Sequence, residues 1–189
     1  MRYCGNKVEV KAERNLLPYI ETKVSEGGKG RTLEIQVKRG YALSSTQTPT
    51  LDIELPALRS LSIAGSGTIK TSPMETAELK ASIAGSGTIK LEGLKAERLH
   101  LNIAGSGDII ASGKAGTMNV SVNGSGDVKA RDLMTEASKV SIAGSGDVQL
   151  AASKQLTVSI AGSGDVGYVG DPELSMSTAG SGKVHKLRD

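Results

Sequence analysis

The nonapeptide "SIAGSGTIK" occupies residues 62–70 and returns unchanged at 82–90, and near-copies follow five more times. Each copy is centred on a Gly-Ser-Gly triplet. The first glycines stand at Gly65, Gly85, Gly105, Gly124, Gly144, Gly162 and Gly180. The closing glycines are Gly67, Gly87, Gly107, Gly126, Gly146, Gly164 and Gly182. Spacings of 20, 20, 19, 20, 18 and 18 residues separate consecutive triplets. Self-similarity at this period signals a solenoid, in which each coil buries its apolar face only against its neighbours.

Within each coil the period is two. Before the triplet, apolar residues alternate with small polar ones: Leu79, Ala81, Ile83; Leu99, Leu101, Ile103; Met118, Val120, Val122; Leu156, Val158, Ile160. After it stands a further apolar column of Ile69, Ile89, Ile109, Val128, Val148, Val166 and Val184. Such alternation means strands with one buried face, whereas a helix would need spacings of three and four. Branched aliphatic side chains fill a pleated surface well. The two glycines of the triplet are expected to turn the chain by adopting positive φ. The predicted fold is therefore all-β: a single-stranded parallel β-helix of seven coils, each of about 20 residues. At about 4.8 Å per coil it forms a rod on the order of 34 Å long.

Composition agrees with thin layers. The chain has 189 residues, 24 of them glycine, and aromatics make up only 2%, so the core must be aliphatic. Hydrophobic residues at 38% suffice for a core, and a net charge of +3 from 23 basic and 20 acidic residues gives no footing for nucleic acid. No apolar stretch has the length of a membrane helix, so membrane insertion is not expected. The opening "MRYCGNKVEV" has no apolar core of a signal peptide, and any export signal would lie outside it. The single cysteine, Cys4, rules out an internal disulfide framework.

Residues 1–58 lack the repeat and are read as an N-terminal β cap over a β-helix of residues 59–189. "KVEVKAE", "TLEIQVK" and "LDIELP" read as three alternating strands. A cap is expected there because a bare solenoid end exposes unpaired backbone. The far end, "GKVHKLRD", carries no capping element and reads as an edge open to another molecule.

The array of "AGSGD[IV]" corners, preceded by "NLLPYIETKV" at 15–24 and "LPALRSLSIAGSG" at 55–67, resembles the head GIN domain family of auto-transporter adhesins. The resemblance implies a right-handed β-helix similar to pectin-lyase-like helices but without their catalytic residues. It also implies an exported bacterial protein, periplasmic, outer-membrane-associated or extracellular, with adhesion as the suggested role.

Candidate chemistry is sparse. Asp108, Asp127, Asp147 and Asp165 follow four of the corners and are weak candidates for a calcium row. The equivalent positions elsewhere are Thr68, Thr88 and Lys183, and a lysine breaks a metal ladder, so these side chains are expected to bond local backbone at the turn. No metal or other cofactor is expected. No catalytic residues are assigned: His100 and His185 lie on different coils, and Tyr168 is the only aromatic among the repeats. Glu75 and Glu78, or Glu92 and Glu97, read as solvated edges, and corner serines repeated seven times argue for structure over nucleophilic catalysis.

Two columns oppose the aliphatic ladder: Ser62, Ser82, Asn102, Ser121, Ser141, Ser159, Ser177 and Ala64, Ala84, Ala104, Asn123, Ala143, Ala161, Ala179. They predict a flat, uncharged strip. Scarce threonine argues against an ice-binding face. Partners are expected to be a protein or glycan surface, or a second copy meeting the strip or the solenoid end. A non-enzymatic adhesion module is the reading these features favour, and a catalytically inactive carbohydrate-binding helix is the alternative.

Overall fold

The computed structural model describes residues 7–27, 30–41, 48–55 and 57–188. Fourteen strands and one short 3-10 turn make up the regular structure of these residues. The chain divides into two compact units, residues 1–56 and residues 57–189.

In the first unit, β1 (Lys7–Lys11) pairs antiparallel with β4 (Thr50–Glu54), and β2 (Ile20–Gly27) pairs antiparallel with β3 (Gly30–Val37). A 3-10 turn, Leu17–Tyr19, leads into β2. Sequence alternation found β1, β3 and β4 but not β2. Its apolar column, Ile20, Thr22 and Val24, is interrupted by threonine, which hides the period. Across β1 and β4, the Lys11 ammonium donates to the Asp52 carboxylate at 2.7 Å. That contact lowers the Asp52 pKa and raises that of Lys11. The aromatic rings of Tyr19 and Tyr41 meet at a centroid distance of 4.6 Å.

The second unit is a parallel β-solenoid. Its strands are β5 (Ser60–Gly65), β6 (Thr68–Thr71), β7 (Met74–Gly85), β8 (Thr88–Gly105), β9 (Asp108–Gly124), β10 (Asp127–Gly144), β11 (Val148–Gly162), β12 (Val166–Val169), β13 (Glu173–Gly180) and β14 (Val184–Lys186). The strand register joins the seven first glycines in one row, from Gly65↔Gly85 through Gly162↔Gly180. Each repeat is thus one coil, seven in all. Between β8 and β9 pairing falls into three runs, at 88–91, 94–96 and 98–105, so each coil bends at the Gly-Ser-Gly corner and twice more.

Differences in coil length are absorbed away from the corner. The pairing offset changes between Leu91 and Leu94, between Lys129 and Leu133, and between Ala130 and Met134. The glycine row therefore stays in register while the opposite edge gains or loses residues.

The core is the aliphatic ladder. Leu79, Leu99, Met118 and Leu156 are fully buried, as are Leu101, Val140, Ile89, Ile109, Val128 and Val148. Burying each such side chain contributes roughly 1.5–3 kcal/mol. One polar pair interrupts the ladder. Thr135 and Ser138 are both 4% exposed and their hydroxyls lie 2.7 Å apart. The Thr135 hydroxyl donates to the Ala151 carbonyl, and the Ser138 hydroxyl donates to Thr135, so the pair is satisfied without water.

Both glycines of the corner face the backbone beneath, a Cβ on Gly105 falling 2.5 Å from the Gly85 carbonyl oxygen, but only the first is also required by its conformation. Gly105 has φ of +128°, a left-handed conformation that L side chains avoid. Gly107 does not, contrary to the expectation that both glycines of the triplet need positive φ. A Cβ on Gly107 would instead lie 2.6 Å from the Gly87 carbonyl oxygen and 2.6 Å from Cγ2 of Ile83 in the coil beneath. The closeness has a cause: corner amides bond directly to the coil below, as when Ser106 N–H donates to Gly85 O at 2.9 Å.

Candidate interaction surface

The pre-corner strand, the last run of each coil, places its alternate residues on solvent. Register aligns Ser62, Ser82, Asn102, Ser121, Ser141, Ser159 and Ser177 in one column. Ala64, Ala84, Ala104, Asn123, Ala143, Ala161 and Ala179 form the next. The alanines and Asn123 are exposed, and the Ser/Asn column is exposed or half-buried. Exposed corner serines, Ser86, Ser106, Ser125 and their equivalents, continue this field to the bend. No charge occurs in these three columns, and no side chain in them is longer than asparagine.

A further outward column adds Ser60, Lys80, His100, Asn119, Lys139, Thr157 and Ser175. Here the repeat departs from itself in one place. His100 and Asn102 on the third coil, with Asn119 and Asn123 on the fourth, are the imidazole and amide side chains of the field; they lie on two adjoining coils, flanked in the outer column by Lys80 and Lys139. They occupy three different columns, so they do not form a stacked amide ladder that would serve coil packing. Asn119 Nδ2 lies 3.5 Å from His100 Nδ1, and His100 Nε2 lies 3.7 Å from Glu78 Oε1. Column-by-column reading of the sequence recorded Asn102 and Asn123 as members of the strip but did not group them with His100 and Asn119. The signal was available: all three asparagines of the repeats fall on these two coils.

The aspartates after the corners form one row, as their spacing predicts, but the carboxylates of Asp127, Asp147 and Asp165 bond the next coil and not their own turn. In the earlier coils the amide after the triplet donates to the glycine carbonyl beneath: Thr88 to Gly67 at 2.8 Å, Asp108 to Gly87 at 3.0 Å, Asp127 to Gly107 at 3.2 Å. From the fifth coil a carboxylate takes over as acceptor. Asp147 N–H donates to Asp127 Oδ1 at 3.0 Å, Asp165 N–H to Asp147 Oδ1 at 2.9 Å, and Lys183 N–H to Asp165 Oδ1 at 2.8 Å. The lysine that ends the row takes part through its backbone, so its side-chain charge is irrelevant to the ladder.

The remaining sequence candidates stay apart. His100 and His185 sit on the third and seventh coils. Glu78 pairs with Arg98 at 3.5 Å, and Glu92 with Lys70 at 3.0 Å, each across neighbouring coils. Such exposed pairs contribute about 0–1 kcal/mol. Glu75 and Glu97 line a shallow depression with Lys95 and Ala96. Among the described residues no three His, Cys, Asp or Glu side chains converge as metal ligands do. Cys4 lies outside the described residues. No helix among them is long and apolar enough to cross a membrane.

A parallel β-solenoid with Gly-Ser-Gly corners and an outer strip of small, uncharged side chains defines a class of repeat protein. The sequence profile of the family described as "Putative auto-transporter adhesin, head GIN domain" matches residues 5–172, and the chain belongs to that family. A search of curated proteins found no match. Among solved structures, one described as a putative adhesin from Bacteroides fragilis NCTC 9343 superimposes with a TM-score of 0.86 at 22% identity, covering 97% of this chain and 84% of that one. A protein from Parabacteroides distasonis ATCC 8503, described as a putative lipid binding protein, is 30% identical with a TM-score of 0.80 over 99% of this chain and 86% of that one. A putative adhesin from Parabacteroides merdae ATCC 43184 has a TM-score of 0.73 at 20% identity, covering 96% and 83%.

Proposed function

We propose that the protein is a non-catalytic adhesion module exported to the bacterial envelope or surface, and that the Ser/Ala face of the solenoid is its contact surface. The observation that carries this reading is the small size and neutrality of the aligned Ser and Ala columns over seven coils. Small side chains cost little conformational entropy when they are covered, and an uncharged sheet allows another surface to approach closely. Membership of an adhesin family supports the same reading.

A second reading, binding of a glycan, is favoured by the group of His100, Asn102, Asn119 and Asn123. Planar amides and an imidazole supply paired donors and acceptors of the kind that neighbouring sugar hydroxyls engage.

Beads coated with the protein test both readings, with mucin-type glycoprotein, collagen and fibronectin as target surfaces and a glycan array alongside. The adhesive reading expects bead attachment that is lost in the Ser121→Glu/Ser141→Glu variant while the far-UV spectrum is unchanged. Attachment that survives those charges would remove the strip from the proposal. The glycan reading expects array binding that weakens on Asn102→Ala and Asn119→Ala, and an empty array would sink it.

A further inference from the structure

Among the described residues, nothing covers the core columns at β13. Leu174, Met176 and Thr178 of β13 continue the columns of Leu156, Val158 and Ile160. Those three residues are 0%, 1% and 1% exposed, whereas Leu174 is 37% and Met176 63% exposed. Among the described residues β13 pairs with β11 alone, so its other edge presents unpaired N–H and C=O groups. Natural edge strands are usually guarded by lysine, proline or a bulge. The sequence of β13, "ELSMSTAG", holds no lysine or proline, and its eight pairs with β11 run without a register shift.

We infer that this end is a self-association surface, and that two copies of the chain meet tail to tail through antiparallel pairing of β13 with β13. What covers it must be a strand, because a lipid chain or a detergent would leave the backbone groups of the edge without partners. Symmetry then selects the arrangement. A two-fold axis along the strand pairs the two edges in parallel but places the apolar columns on opposite faces. A two-fold axis normal to the sheet pairs them antiparallel and keeps Leu174, Met176 and Thr178 of both copies on one side, so that the two cores become continuous. Charge agrees with the second arrangement. Asp171 is already paired with Lys186 of its own chain, but Glu173 stands at the entry of β13 and Lys183 beyond its exit, so an antiparallel partner turns an acidic entry towards a basic exit. The pairing is closed and stops at two copies. It does not rest on the adhesive reading.

Sedimentation velocity of the full chain across a dilution series gives the first test, and a dimer of twice the chain mass is expected. Met176→Lys should weaken self-association roughly thirtyfold or more, the effect of losing a central interface anchor. Met134→Lys is the control, since Met134 is also 63% exposed but lies on an outer column away from the end. Spin labels report the orientation: antiparallel pairing brings labels at Ser177 of the two copies close and holds labels at Glu173 on the order of 20 Å apart. A wild-type chain that stays monomeric overturns the inference. So does a dimer indifferent to Met176→Lys, or one whose Glu173 labels lie as close as its Ser177 labels.

Discussion

The same substitution meets opposite surroundings at Gly107 and Gly67. Both close a Gly-Ser-Gly corner and neither has positive φ. A Cβ on Gly107 runs into the Gly87 carbonyl and Ile83, whereas one on Gly67, in the first corner of the row, meets nothing within 4 Å. Gly107→Ala is expected to lower stability by about 1–3 kcal/mol, as overpacking does, and Gly67→Ala to stay within about 0.5 kcal/mol. Urea unfolding of the two variants checks this. Equal losses would mean that the turn, and not the contact between coils, dictates the second glycine. Sequence alone could not separate these reasons. A repeated glycine reports that something excludes a side chain, and only the stack shows that here it is the neighbouring backbone.

Within one coil, the alternation of Leu, Val and Ile made the pre-corner strand readable, because a fixed corner set its phase and each period-two column had to face the same way. What escaped were the places where polar atoms break that logic. Ser138 stands in the column of Leu99, Met118 and Leu156, and only the nearby Thr135 explains how its hydroxyl is satisfied. Thr135→Val should cost about 1–3 kcal/mol, because it strands the buried Ser138 hydroxyl and takes the donor from the half-buried Ala151 carbonyl. Thr135→Val/Ser138→Ala should recover part of that loss, since one stranded group is removed with its partner. A double-mutant cycle in thermal unfolding reads the coupling, and strictly additive losses would show that the hydroxyl pair is not a unit. The outer face was legible as a strip for the same reason as the core. The cluster on its third and fourth coils was not, because it is made of departures from the repeat, and a repeat is read by averaging them away.

Across the whole solenoid, each coil contacts only the coils before and after it, so the energetic value of a position depends on its place in the stack. Leu101 is fully enclosed between neighbours, whereas Leu174 is 37% exposed and, among the described residues, has a coil on one side only. Leu101→Ala is expected to cost about 2–5 kcal/mol and Leu174→Ala less than about 1 kcal/mol in the monomer. Native-state hydrogen exchange of the Met176→Lys variant, in which self-association is weakened, should show the matching gradient at low concentration, with amides of β13 opening before those of β8. Uniform protection along the stack would contradict it. The register shifts at the edge opposite the corners have a different kind of consequence. The fifth coil carries residues 131–133 there without a counterpart in the sixth, and the glycine row on either side is undisturbed. The scaffold therefore separates two inheritances: a wall whose spelling is dictated by its neighbours, and a margin where peptide can be added or removed one coil at a time. A foreign segment spliced between Ala130 and Met134 would be held at a known height on a pole of fixed pitch, and the pole would not register its arrival.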